Sequence, residues 1–279
     1  MDGALRRAKA GVSFDIRSSK WIVFSDLHRG ARNLADDFVR CEETYLSALW
    51  KYLEDGFTLV GLGDMEDLWK ESPASVFTAH SSSFHLERSF SQQGRYLRFW
   101  GNHDEAWGNS DLAARLLRPM YGDALRLYES LRVPITNGTR TLGELFFVHG
   151  HQGTLNGERF NGVCRPLVRH FWRLVQLYTG LNSNGQGGMP LMNTMERKIG
   201  AWARRNGLTV VSGHTHRPMI NRGYMNSGAC CYSDGTITGL EFDRGQVRHV
   251  EWSQSGSGVL SRVIKSVSLD GLLTGARGA

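Results

Sequence analysis

Seven residues of metal-ligating type recur along this chain: Asp26, His28, Asp64, Asn102, His149, His214 and His216. They mix imidazole nitrogens with hard carboxylate and amide oxygens. That set suits manganese, iron, zinc or cobalt rather than calcium or an all-thiolate site. Seven donors exceed the needs of one tetrahedral ion. They suffice for two if a carboxylate bridges them, as in hydrolytic centres whose two ions lie ~3.5–4 Å apart. Such a pair neutralises phosphoryl oxygens and makes hydroxide from bound water near neutral pH, which is the chemistry of phosphate-ester hydrolysis. The pairs Asp26-x-His28 and His214-x-His216 read as strand-end alternation, in which residues i and i+2 share a face.

Five apolar runs must position these groups: Trp21–Phe24, Phe57–Val60, Tyr96–Trp100, Leu145–Val148 and Leu208–Val211. Each reads as a buried strand that runs out into polar, titratable residues. Ligand sites of layered α/β folds lie just beyond strand carboxyl ends, so the five tips are expected to converge. Asn33 with Asp36 predicts a helix N-cap. Leu34, Phe38, Cys41, Tyr45, Leu49 and Leu53 continue it as an amphipathic helix closed near Gly56, with Trp50 also assigned to the core. Thr236–Leu240 and Val247–Trp252 predict a hairpin completing a second sheet, and Ser253–Gly258 a flexible link to a short tail. Between Thr154 and Asn206 the chain reads as a helical insertion. Pro166 opens a first turn, Asn182–Gly188 links, and Met192, Met195, Ile199 and Trp202 form a second apolar stripe.

The blocks Asp26-x-His28, Gly63-Asp64-x-x-Asp67, Gly101-Asn102-His103-Asp104, His149-Gly150-His151 and Gly213-His214-x-His216 resemble, in order, those of the calcineurin-like metallophosphoesterases. Met225-Asn226-Ser227-Gly228 resembles the turn that often follows. The resemblance implies a four-layer α-β-β-α sandwich of two mixed sheets, formed by residues 1–279 as one domain with 154–206 as a basic cap inserted in it. It implies that Asp26, His28, Asp64 and His216 hold a first divalent cation, and Asp64, Asn102, His149 and His214 a second, with manganese first in expectation. It also implies a metallophosphoesterase that cleaves phosphomonoesters or phosphodiesters through metal-activated hydroxide. His103 would be the general acid and Asp67 the carboxylate that orients it. Asp104 is expected to support the ligands from behind, as is His151. Arg217 is expected to reach a phosphate oxygen.

Within that superfamily, protein serine/threonine phosphatases carry an arginine after the second-block carboxylate, where this chain has Leu68. The insertion and the run Gly213-His214-Thr215-His216-Arg217-Pro218 resemble UDP-2,3-diacylglucosamine diphosphatases, which gives a lipid-linked pyrophosphate as the alternative substrate. That family has Gly-Asn-Arg-Asp and His-Gly-Asp where this chain has His103 and His151. A retained His103 points to poor leaving groups. A non-catalytic scaffold of the same fold is the remaining alternative, and it predicts eroded ligands, whereas here every ligand position is filled.

The chain has 279 residues, 41% of them hydrophobic, and a net charge of +6. Global disorder is thereby excluded. Residues 154–206 carry eight basic against two acidic residues, an excess equal to that of the whole chain. Arg165, Arg169 and Arg173 fall four apart on one helix face. They are expected either to be solvated or to bind an anionic substrate or membrane surface. Without repeated stacking aromatics, this face gives no ground for an obligate nucleic-acid partner. No apolar run approaches the ~18–20 residues of a membrane span. No secretory signal is evident, and the four cysteines lack a CxxC or disulfide pattern, so a reducing cytoplasm is expected. The cysteines are expected to be inert small hydrophobes, and His80, His85, His170 and His249 structural.

Overall fold

The structure is a computed structural model in which residues 1–153, 190–256 and 258–274 are described. Alternation along its strands decides the layering. In β2 (Lys20–Phe24), Ile22 and Phe24 face a core shared with the helices Glu42–Glu54 and Ser81–Gln92. Trp21 and Val23 point the opposite way, into a second core with Val60 and Leu62 of β3 (Thr58–Leu62) and Leu145 and Phe147 of β7 (Arg140–Val148). Phe146 and Val148 of β7 then face a third core. It contains Met195, Ile199 and Trp202 of the helix Pro190–Arg205, and Ala4 of the helix Asp2–Arg7. Three apolar layers divided by two sheets make the α-β-β-α sandwich expected from the sequence.

Both sheets are mixed. In the first, β2, β3, β4 (Tyr96–Phe99) and β5 (Arg126–Tyr128) run parallel, so their carboxyl ends share one edge. Beyond β2 lie β11 (Ile237–Asp243), β12 (Gln246–Ser255) and β13 (Gly258–Ser268), all antiparallel. The second sheet has the order β1 (Phe14–Asp15), β6 (Ser130–Asn137), β7, β8 (Thr209–Ser212), β10 (Tyr224–Asn226) and β9 (Met219–Asn221). In it β7 and β8 are parallel and end together.

Four local expectations need correction. The helix begins at Glu42, not near Asn33. Asn33 Oδ1 accepts instead from the Ala35 amide (3.0 Å), and Asp36 accepts from the amides of Arg32 (2.7 Å) and Phe38 (3.1 Å). Asp36 also meets His80 Nε2 at 2.8 Å, which holds this segment as a turn. Trp50 is 58% exposed. The face turned to the sheet is Tyr45, Ala48, Leu49 and Tyr52, and Trp50 lies off that stripe. The hairpin of β11 and β12 belongs to the first sheet beside β2, with Leu240 opposite Val23. Finally, Ser253–Gly258 is no free link: Ser255 pairs with Gly258 and the chain turns directly into β13.

The described part of the basic insertion, Pro190–Arg205, lies against the second sheet. Arg165, Arg169, Arg173, Pro166 and the Asn182–Gly188 stretch fall outside the described residues. Among the described residues no helix is long and apolar enough to cross a membrane.

Candidate metal centre

Each ligand-type residue follows a strand end, and local backbone geometry aims it. Seven non-glycine residues among those described have positive φ, and five of them are Asp26, His28, Asp64, His214 and His216. Left-handed backbone costs a non-glycine residue ~1–3 kcal/mol, so this concentration marks a functional cluster. The strand-alternation reading of Asp26-x-His28 and His214-x-His216 is corrected here. These residues do converge, but because left-handed turns beyond β2 and β8 redirect them.

The turns are held by side chains behind them. Asp26 Oδ2 accepts from the His214 amide at 2.9 Å, and Ser25 hydrogen-bonds the same oxygen. Asn226, at the end of β10, donates to Gly213 O (2.6 Å) and Thr215 Oγ1 (3.1 Å), fixing the loop that carries His214 and His216. Asp104 accepts from the amides of Gly101 (2.6 Å), Met65 (3.0 Å) and Asp64 (3.2 Å), tying the tip of β4 to that of β3. A Cβ on Gly101 would collide with Asp64 Oδ1 and come within 2.7 Å of His149, so only glycine lets these tips close.

The result is one buried cluster. His149 Nε2 lies 3.1 Å from Asp64 Oδ2, and His216 Nε2 lies 3.1 Å from Asp26 Oδ1. His28 Nε2 and His216 Nε2 face each other at 3.3 Å. Asp64, His149 and His214 bring ligand atoms within 4.8 Å of one another, as do His28, Asp64 and His103. Asp64 is common to both groups, the place a bridging carboxylate needs. His149 Nδ1 donates to Leu62 O at 2.9 Å, which leaves Nε2 as the ligating nitrogen. Asn102 Oδ1 is buried without a hydrogen-bond partner. Buried polar atoms are seldom left so, and coordination to a metal ion would satisfy it. The donor set fits divalent ions. His151 is buried beside His149 and His214, with ring centroids at 5.6 and 6.3 Å.

Charge interactions among these buried groups shift their protonation. Burial alone would raise the Asp26 carboxyl, but the His216 and His149 imidazoles hold it well below the usual carboxylate range. Burial opposes charge on His149, yet Asp64 and Asp26 pull it up to about 10. His214, buried and beside His149, is pushed down to about 3.

Next to the cluster stands His103. Its Nδ1 is 3.0 Å from Asp67 Oδ1, its ring stacks on Trp69 (centroids 4.1 Å apart, planes at 21°), and its backbone amide donates to Asp64 Oδ1 at 2.8 Å. Burial disfavours the imidazolium, but the Asp67 and Asp64 carboxylates outweigh that and raise His103 above an ordinary histidine. Arg217 is engaged elsewhere, with Glu196 Oε2 at 2.8 Å and Asn193.

Sequence reasoning missed several participants. Lys70 is buried with Nζ 2.9 Å from Asp67 Oδ2, and the spacing Asp67-x-x-Lys70 was its available signal. Below the site, Arg29 joins Glu66 (2.6 Å) and Glu87 (2.7 Å), while Arg98 pairs with Glu66 and with Tyr121 Oη (3.0 Å). All four charged groups are fully buried. Arg98 inside an apolar strand was the legible hint. Cys41 and Cys230 lie buried in the first core, as expected of small hydrophobes. Cys231 is buried too, with its sulfur in a cluster with His28 and His216, while Cys164 and His170 fall outside the described residues.

No family model and no curated protein matches the chain. Among solved structures it is similar to a single-substitution variant of Vps29 from Entamoeba histolytica, at 15% identity over 89% of this chain and 98% of that one, with a TM-score of 0.43. It is similar also to Vacuolar Protein Sorting 29 from Cryptosporidium parvum, at 14% identity over 90% and 98% of the two chains, TM-score 0.42. A third similar structure is GAP50, the anchor in the inner membrane complex of Plasmodium, at 12% identity over 90% and 88%, TM-score 0.42. These likenesses are distant, and the reading of the site rests on its own geometry.

Proposed function

We propose that this protein is a dinuclear metal-dependent phosphohydrolase of the metallophosphoesterase kind, acting on phosphomonoesters or phosphodiesters. The observation that carries this reading is the convergence of ligand atoms about Asp64, with His103 and its Asp67 partner at the margin. In this reading Asp26, His28, Asp64 and His216 hold one cation, and Asp64, Asn102, His149 and His214 the other. When bound, the two cations supply charge neutralisation for a phosphoryl group and a lowered pKa for water.

The chain's own residues supply the rest. Asp67 accepts the His103 Nδ1 proton, which directs Nε2 and its proton outward for a leaving oxygen. Lys70 holds Asp67 in its ionised form: burial would raise that carboxyl, but Lys70 and His103 bring it well below the usual range. Trp69, stacked on the ring, restricts its rotation.

In the same reading Arg217, Arg165 and Arg169 contact an anionic substrate, phosphate-bearing and free or lipid-linked, and the basic face can meet a membrane surface. Arg217 would exchange Glu196 for phosphate. Screening the manganese-loaded protein against phosphomonoesters, phosphodiesters and nucleotide-diphosphate sugars, before and after chelation, tests both activity and substrate class. The expected result is chelator-sensitive release of phosphate or alcohol. Reversing the charges of Arg165, Arg169 and Arg173 is expected to weaken substrate affinity most at low salt.

A further inference from the structure

We propose that Cys231 is a thiolate ligand of the cation held by His28 and His216, a soft donor in an otherwise nitrogen–oxygen centre. The proposal rests on the dinuclear reading above and assigns one more residue to it. Cys231 Sγ and one ring nitrogen each of His28 and His216 lie within 4.8 Å of one another. An ion ~2.3 Å from sulfur and ~2.1 Å from nitrogen spans S···N separations up to ~4.4 Å, so small side-chain adjustments bring all three donors onto one ion.

The position is fixed from both sides. The Cys230 amide donates to Asp26 O at 3.2 Å, and Tyr232 Oη donates to His216 O at 2.7 Å. Cys231 is therefore fastened between the backbones of two ligands. The neighbouring sulfurs turn elsewhere: Cys230 Sγ lies 3.9 Å from Thr238 O, and Cys41 Sγ lies 3.2 Å from Tyr232 O. On binding, the metal–sulfur bond forms as the thiol proton leaves to solvent. A thiolate shifts preference from manganese towards zinc, cobalt or iron, which alters the metal expected from the seven hard and borderline donors alone.

Cobalt(II) titration of the full chain tests this by near-ultraviolet absorption, with bound metal counted separately. The wild type is expected to bind two cobalt ions and to show a sulfur-to-cobalt charge-transfer band. Cys231→Ser is expected to keep both ions and lose the band, and Cys230→Ser to keep it. Should Cys231→Ser fail to fold, X-ray absorption of the zinc-loaded wild type must still show a Zn–S distance of ~2.3 Å. Two bound ions without a sulfur signature, or a band that survives Cys231→Ser, overturn the Cys231 assignment and leave the dinuclear reading standing. No bound metal in the wild type overturns both.

Discussion

His103 donates through Nδ1 to Asp67 Oδ1 across 3.0 Å, and the other oxygen of that carboxylate is held by Lys70 at 2.9 Å. A histidine oriented in this way presents its second nitrogen to whatever lies over the strand tips.

Removing that nitrogen gives the first prediction. His103→Ala is expected to slow hydrolysis of an alkyl phosphate ~10²–10⁴-fold, with much less effect on a nitrophenyl ester, whose leaving group needs no proton. Bound metal stays at two ions per chain. Equal slowing of both esters in parallel kinetics argues against the general-acid role.

Gly101→Ala tests the closeness of the tips. A methyl group there strikes Asp64 and His149, so the variant is expected to fold yet retain less than half the wild-type metal. Elemental analysis beside circular dichroism reads both properties. A folded variant with full metal content contradicts the packing argument.

The buried network below the site predicts a stability effect. Arg98→Met leaves Glu66 buried with Arg29 as its remaining cationic partner and should cost ~3–5 kcal/mol. Urea denaturation measures it. A loss under ~1 kcal/mol shows that the network is solvated or dispensable.

His80 gives a pH dependence. Burial works against its charge, but hydrogen bonds to Asp36 and Glu42 prevail and raise its pKa. The folded value lies above the unfolded ~6.5, so its stabilisation is complete below pH ~6.5 and disappears as pH rises through the folded value. The stability gap between wild type and His80→Gln should be ~1–3 kcal/mol near pH 6 and narrow at higher pH. A gap that does not narrow as pH rises refutes the charged assignment.

The sequence made the ligands legible because each stands where an apolar run stops. It made the layers legible through alternation, as in Trp21 and Val23 against Ile22 and Phe24. Features that depend on distant partners were not legible. The Asn33–Asp36 pattern carries a capping signal, but His80, 44 residues beyond Asp36, claims that carboxylate and keeps the segment a turn. The left-handed backbone at Asp26 or His214 leaves only a weak mark in residue type: aspartate and histidine are enriched in that region, yet both are common in every other conformation. Lys70 and Cys231 look like a surface charge and a core hydrophobe until the fold sets them beside Asp67 and His28.

Counting metal in the wild type and in Asp64→Asn tests the central claim most directly, because one carboxylate is asked to serve both ions. The account predicts two divalent ions per wild-type chain with chelator-sensitive phosphatase activity, and loss of both ions and of activity in a folded Asp64→Asn protein. Full activity in metal-free wild type, or two retained ions in Asp64→Asn, contradicts it.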